Sequence, residues 1–157
     1  MRIDYEYLKD FLEIVLDSPK PSFSIEDEKL SDLWKSGVNE NEEELSKLWN
    51  SGVNEDEEKL KKLIFHMEIL ADMNLIQSAS GKPGIGFRCY GDSYSVAAMP
   101  LRLTADGHQF AADLNKPSVL ETLKKTFKDA GPKEVVKLVF SMGRKITDNQ
   151  LSKLMDE

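Results

Sequence analysis

Catalysis by side chains needs a nucleophile, an acid–base pair or a metal cage, and this chain is sparing with all three. It has two histidines, His66 and His108, and one cysteine, Cys89, none at the spacing of a metal-binding set. His66 falls within an apolar helical run, Leu63-Ile64-Phe65-His66-Met67, where a histidine held for structure is the better reading. His108 follows a helix start at Thr104, and capping or packing suits it better than proton transfer. Cys89 lies in a β-favouring stretch with no histidine nearby to activate it. The segment Gly81-Lys82-Pro83-Gly84-Ile85-Gly86 is rich in glycine but lacks the spacing and the following Ser/Thr of a phosphate-binding loop, so it reads as a turn. The carboxylate runs Glu42–Glu44 and Asp56–Glu58 lack the alternating ligands, central glycine and closing glutamate of a calcium loop. They read as solvated helix starts. No catalytic residue, metal, cofactor or small-molecule substrate is expected.

Two kinds of binding chemistry remain. Lys59, Lys61 and Lys62 cluster in one helical segment, and Lys82, Arg88 and Arg102 lie in and beside the glycine-rich β stretch. These six are the candidate nucleic-acid contacts, since cations on phosphates supply most non-specific affinity. Four carboxylates, Glu55-Asp56-Glu57-Glu58, stand immediately before the lysines. Each would have to approach a phosphate or shed its hydration, which opposes docking on nucleic acid. The other chemistry is apolar anchoring. Leu30, Leu33 and Trp34, repeated as Leu45, Leu48 and Trp49, form short stripes, and Phe65 and Ile69 lie on the second face of a helix. These eight are the candidate partner interface, because tryptophans often anchor interfaces. The competing reading has the stripes pack on the body of the domain or on each other.

The elements that must position these residues are legible in outline. Residues 3–16 carry Ile3, Tyr7, Leu8, Phe11, Leu12 and Val15 at helical spacing, and Pro19 and Pro21 then break the pattern. Ile25–Asn39 and Glu40–Asn54 are a tandem repeat with nine of fifteen aligned positions identical, and a third partial copy starts at Glu55. Asn39 and Asn54 suit N-caps, with Glu42 and Glu57 in capping-box position. Gly37 and Gly52 suit the left-handed position after a helix, with Val38 and Val53 folding back on Leu33 and Leu48. Helices of about ten residues joined by tight turns are expected. A longer helix runs from Glu55 to about Met73, with Leu60, Leu63, Ile64, Met67, Leu70 and Ala71 on one face, and Asn74 is a suitable stop. Strands are expected near Phe87–Tyr90 and Tyr94–Met99, and a third near Leu75–Ser78. Thr104 caps a helix of about ten residues. Pro117 and Pro132 each suit the first turn of a further helix. The last residues read as polar and frayed.

The 157 residues fit one domain, and the 40% apolar content fills one modest core. The net charge of −7 is uneven: residues 1–58 hold 6 Lys/Arg against 17 Asp/Glu, whereas 59–110 and 111–157 hold 6 against 4 and 9 against 7. Any nucleic-acid role must therefore rest on the later two-thirds. No apolar run approaches the ~18 residues of a membrane span, no signal peptide is legible, and one cysteine fits a reducing compartment. A cytoplasmic protein without membrane contact is expected.

Helix, short helices, long helix, β-hairpin and helix is the element order of a winged helix-turn-helix domain. The opening MRIDYEYLKDFLEIVLD, the stretch Leu63–Leu70 leading to Asn74-Leu75-Ile76, and the run Leu101-Arg102-Leu103-Thr104-Ala105-Asp106-Gly107-His108-Gln109-Phe110 carry a more specific likeness. In these three stretches the chain resembles an uncharacterised family of small winged-helix-like proteins of bacteria and phages. The resemblance implies a fold and an origin, and it implies no catalytic residue. The expectation is therefore an α+β, mostly helical chain. Residues 1–116 form a winged helix-turn-helix with a β-hairpin wing and a short tandem helical insertion at 25–54, and 117–157 form extra C-terminal helices packed on the same domain. A non-enzymatic protein-interaction module is the favoured function, with a protein partner or self-association placed ahead of DNA. The alternative is a DNA-binding transcriptional regulator using the central helix and wing.

Overall fold

A computed structural model describes residues 1–35, 55–91 and 93–156. Among them six helices and two small antiparallel sheets form an α+β arrangement. In chain order the elements are α1 (Tyr5–Asp17), α2 (Glu28–Ser31), α3 (Glu55–Asp72), β1 (Ile76–Ser78), β2 (Phe87–Tyr90), β3 (Ser93–Val96), β4 (Leu101–Leu103), α4 (Ala105–Leu114), α5 (Val119–Thr126) and α6 (Pro132–Met155).

Local chemistry sets most of the boundaries. Asp4 caps α1 by accepting from the backbone N–H of Tyr7 at 3.1 Å. Helix α3 ends where Asn74 takes a left-handed conformation (φ 59°). Leu75 then donates to the Leu70 carbonyl and Asn74 to that of Ala71, the paired bonds of a Schellman stop. Thr104 caps α4 by accepting from Gly107 N–H at 3.0 Å, while its own hydroxyl donates to the Asn74 carbonyl at 2.7 Å. One threonine thus starts α4 and ties it to the end of α3. Gly107 completes that junction: a Cβ there would lie 1.9 Å from the Leu75 carbonyl oxygen, so only glycine lets the two backbones meet.

β1 pairs with β4, with Ile76 opposite Leu103 and Ser78 opposite Leu101. Phe23 bridges to the other edge of β4 through two backbone bonds with Leu101, each 2.7 Å. The hairpin β2–β3, with Phe87 opposite Val96, is inserted between the paired strands β1 and β4. The core lies where α1, α3, the β1–β4 pair and the C-terminal helices converge. Leu8, Phe11, Leu63, Met67, Leu75, Phe110 and Val139 are all buried in it.

Several sequence expectations change here. The first repeat unit holds a helix of only four residues, α2, followed by a turn. Leu45, Leu48, Trp49, Gly37, Gly52, Val38, Val53 and the Asn39 and Asn54 caps lie outside the described residues. Leu101–Leu103 is a strand that the sequence pattern does not single out, and the Leu75–Ser78 segment pairs with it rather than with the hairpin. Pro132 opens α6 as expected, but Pro117 stands in the turn before α5, whose N-cap Ser118 is left-handed (φ 69°). The C-terminal residues continue as helix to Met155 and include exposed Leu151, Leu154 and Met155.

Candidate interaction surfaces

Helix α3 carries five of the candidate residues, Lys59, Lys61, Lys62, Phe65 and Ile69, and the N-terminus of the chain bears on what they can do. Lys62 donates to the Asp4 carboxylate at 2.8 Å and sits 4.8 Å from the centre of the Tyr7 ring. One turn on, His66 is almost fully buried (2% exposed). Its Nδ1 donates to the Lys62 carbonyl (2.8 Å), and its Nε2 accepts from the Asp4 backbone N–H (2.9 Å). That pair of contacts requires the neutral ring protonated on Nδ1. Burial lowers the His66 pKa, and the Lys62 hydrogen bond holds the Asp4 carboxyl below the usual carboxylate range. Burial also pushes the Tyr7 phenol up to about 12, and its hydroxyl has no hydrogen-bond partner among the described residues. His66 is thus a structural staple between α1 and α3.

The remaining cations divide into two groups. Lys61 pairs with Glu57 and Glu58 of its own helix at 3.5 and 3.8 Å, and the Glu57 charge raises its pKa. Arg102 lies across the strand pair from Gln77, whose amide oxygen accepts from its Nε at 2.9 Å once the amide is oriented to satisfy both groups. Lys59, Lys82 and Arg88 are exposed and have no ion pair among the described residues. The six candidate phosphate contacts thus split evenly into engaged and unengaged groups among the described residues. Three are committed inside the chain, and exposed Glu58, Glu68 and Asp72 share α3 with the lysines. Cys89 is exposed on β2, and His108 is exposed on α4.

The apolar candidates divide as well. Leu30 is a core residue at 2% exposure, and Leu33 and Trp34 pack partly buried against the same core. Trp34 also donates its indole N–H to the Ile25 carbonyl at 2.8 Å, closing its own turn. The first repeat stripe is thus used within the domain, which removes Leu30 from a partner face. Phe65 and Ile69 are half-buried and line a groove of about 430 Å³ with Met1, Ile3, Ala130 and Pro132. The exposed ion pair of Arg2 and Asp129 lies at this groove (2.5 Å).

A second polar cluster joins α4 to α6 and is only partly legible in the sequence. The Asp113 side chain, 3% exposed, accepts from Lys116 (2.8 Å) and Gln109 (3.0 Å). Lys116 also donates to the Gly143 carbonyl and to Thr147 Oγ1. A Cβ at Gly143 would lie 2.2 Å from the Asp113 carboxyl carbon, so α4 and α6 lock through a glycine notch. The i, i+3 pair of Asp113 and Lys116 is visible in sequence, but its third partner, 27 residues on, is not. Beside this lock a groove of about 370 Å³ is lined by Asp106, Gln109, Phe140, Arg144 and Thr147. Among the described residues no three His, Cys, Asp or Glu side chains gather to hold a metal ion, and no helix is long and apolar enough to cross a membrane. Comparison with protein-family models, curated proteins and solved structures returns no match for the chain.

Proposed function

We propose that the chain is a non-catalytic protein-interaction module on a winged-helix scaffold, of the bacterial and phage family it resembles, acting in the cytoplasm. The scaffold reading is supported by the order Phe23, β4, β1, with α1, α2 and α3 ahead of a pair of strands that brackets a hairpin. One observation carries the functional reading. On α3 and the strands, Lys61, Lys62 and Arg102 are engaged within the chain, and Lys59 stands among exposed carboxylates. A helix of that charge repels a phosphate backbone. The titratable side chains that do come together, around Asp4 and around Asp113, tie helices to one another, which supports a non-catalytic role.

The deciding measurement is fluorescence anisotropy of a labelled mixed-sequence duplex, begun at low salt and repeated as salt is raised. The expected outcome is no saturable binding at tens of micromolar protein. Binding that weakens steeply with salt and is lost on replacing Lys59, Lys82 and Arg88 would overturn this reading in favour of a DNA-binding regulator.

A further inference from the structure

Helix α6 is 24 residues long, on the order of 36 Å, and only its first half has a body to pack on. Val135, Val136, Val139 and Gly143 face the core, and every described residue from Thr147 onward is exposed. The nine helical residues from Thr147 to Met155 are marginal alone in water. Yet this stretch carries Leu151, Leu154 and Met155 at 54%, 71% and 78% exposure. They do not stand apart from the rest of the helix. Phe140, Arg144, Thr147, Leu151 and Leu154 recur at intervals of four, three, four and three residues, the spacing of a coiled-coil seam. Along its first half this seam borders the groove beside α4, and along its second half it is bare.

We propose that the seam binds the same seam of a second copy in antiparallel orientation, with the two-fold axis between Lys145 and Ile146. This deepens the interaction-module reading and rests on it. Two observations select the occupant and the direction. First, that axis sets Phe140 of one copy against Leu151 of the other, so the half-covered aromatic meets a bare leucine at both ends. Second, it sets Arg144 across from Thr147 of the other copy with Asp148 the next residue along, within reach of the guanidinium, twice by symmetry. Within one chain Arg144 and Asp148 lie one turn apart, and among the described residues neither is ion-paired. A parallel pair would instead stack Arg144 on Arg144, and like charges facing each other oppose association. Antiparallel packing also places the opposite ends of the helix dipoles together. The contact is short, so it belongs to the small and reversible class of interfaces.

Sedimentation equilibrium of the full chain over rising concentration tests this. The wild type is expected to approach twice its 17.8 kDa mass. Arg144→Glu should return it to the monomer mass with an unchanged circular-dichroism spectrum. Arg144→Glu combined with Asp148→Arg should restore the dimer, a rescue that parallel pairing would not give. Leu151→Lys is the second disrupting variant and sits where no fold contact is lost. A wild type that stays monomeric throughout overturns the proposal and leaves the wider reading to the duplex measurement. A dimer that persists in Arg144→Glu and Leu151→Lys also overturns it, while keeping self-association through another face.

Discussion

At the scale of single residues, His66 shows how a chemically able side chain can be used wholly for structure. Both ring nitrogens are occupied by backbone groups, and one of them must stay unprotonated to accept from the Asp4 N–H. An unfolded imidazole takes up a proton near pH 6.5, whereas the buried ring resists it and its pKa is lowered. Below that pH the unfolded state therefore binds more protons than the folded state. The contribution of His66 to stability is complete above the ordinary imidazole pKa and is lost as pH falls through it toward the lower folded value. Thermal melts between about pH 7.5 and 5.5 should show the midpoint dropping with acid. His66→Gln should be less stable at neutral pH, with that drop flattened. An equal slope in the variant would assign the pH dependence to other groups.

At the scale of elements, close approach matters more than propensity. Gly107 opens the first turn of α4, where intrinsic helix preference favours alanine by about 1 kcal/mol. The Leu75 carbonyl occupies the space a Cβ would take, so Gly107→Ala must push α4 away from the end of α3. Chemical denaturation should report a loss of about 2–3 kcal/mol, toward the upper end for overpacking. Ala112→Gly, on the exposed face of the same helix, should lose about 1 kcal/mol from propensity alone. A stabilised Gly107→Ala protein would show that the junction yields. The same contrast explains what the sequence could disclose. Caps, prolines and 3.6-residue spacing act within a few residues, so α1, α3, α4 and β2 are legible close to their observed bounds, whereas β3, expected to run to Met99, ends at Val96. β4 has three residues, too few to show alternation, and it is defined by partners at Phe23 and Ile76 that are distant along the chain. The candidate surfaces suffered for the same reason. A stripe of Leu30, Leu33 and Trp34 reads alike whether it meets a partner or its own core, and Lys62 reads as a phosphate contact until Asp4 is seen beside it.

At the scale of the whole molecule, the division at residue 116 separates stretches of sequence but cuts through one core. Val119, Leu123, Val135, Val136 and Val139 are buried together with Tyr5, Leu8, Phe110 and Ala111, and Tyr5 donates to the Phe127 carbonyl at 2.6 Å. Burying such a side chain is worth about 1.5–3 kcal/mol, so five of them rival the whole net stability of a domain, about 5–15 kcal/mol. A chain ending at Lys116 should therefore show no cooperative thermal transition. Among the described residues a chain ending at Thr147 loses only exposed ones, and it keeps the lock of Lys116 on Gly143 and Thr147. It should melt cooperatively within a few degrees of the full chain when both are compared as monomers. If the Lys116 chain melts cooperatively, the C-terminal helices are an accessory and the core argument fails. If the Thr147 chain instead loses its fold, the exposed end of α6 supports the monomer in a way its burial does not account for. Folding preserved in the Thr147 chain, with its self-association gone, is the combination expected when the last turns of α6 serve a second copy and the first turns serve the core.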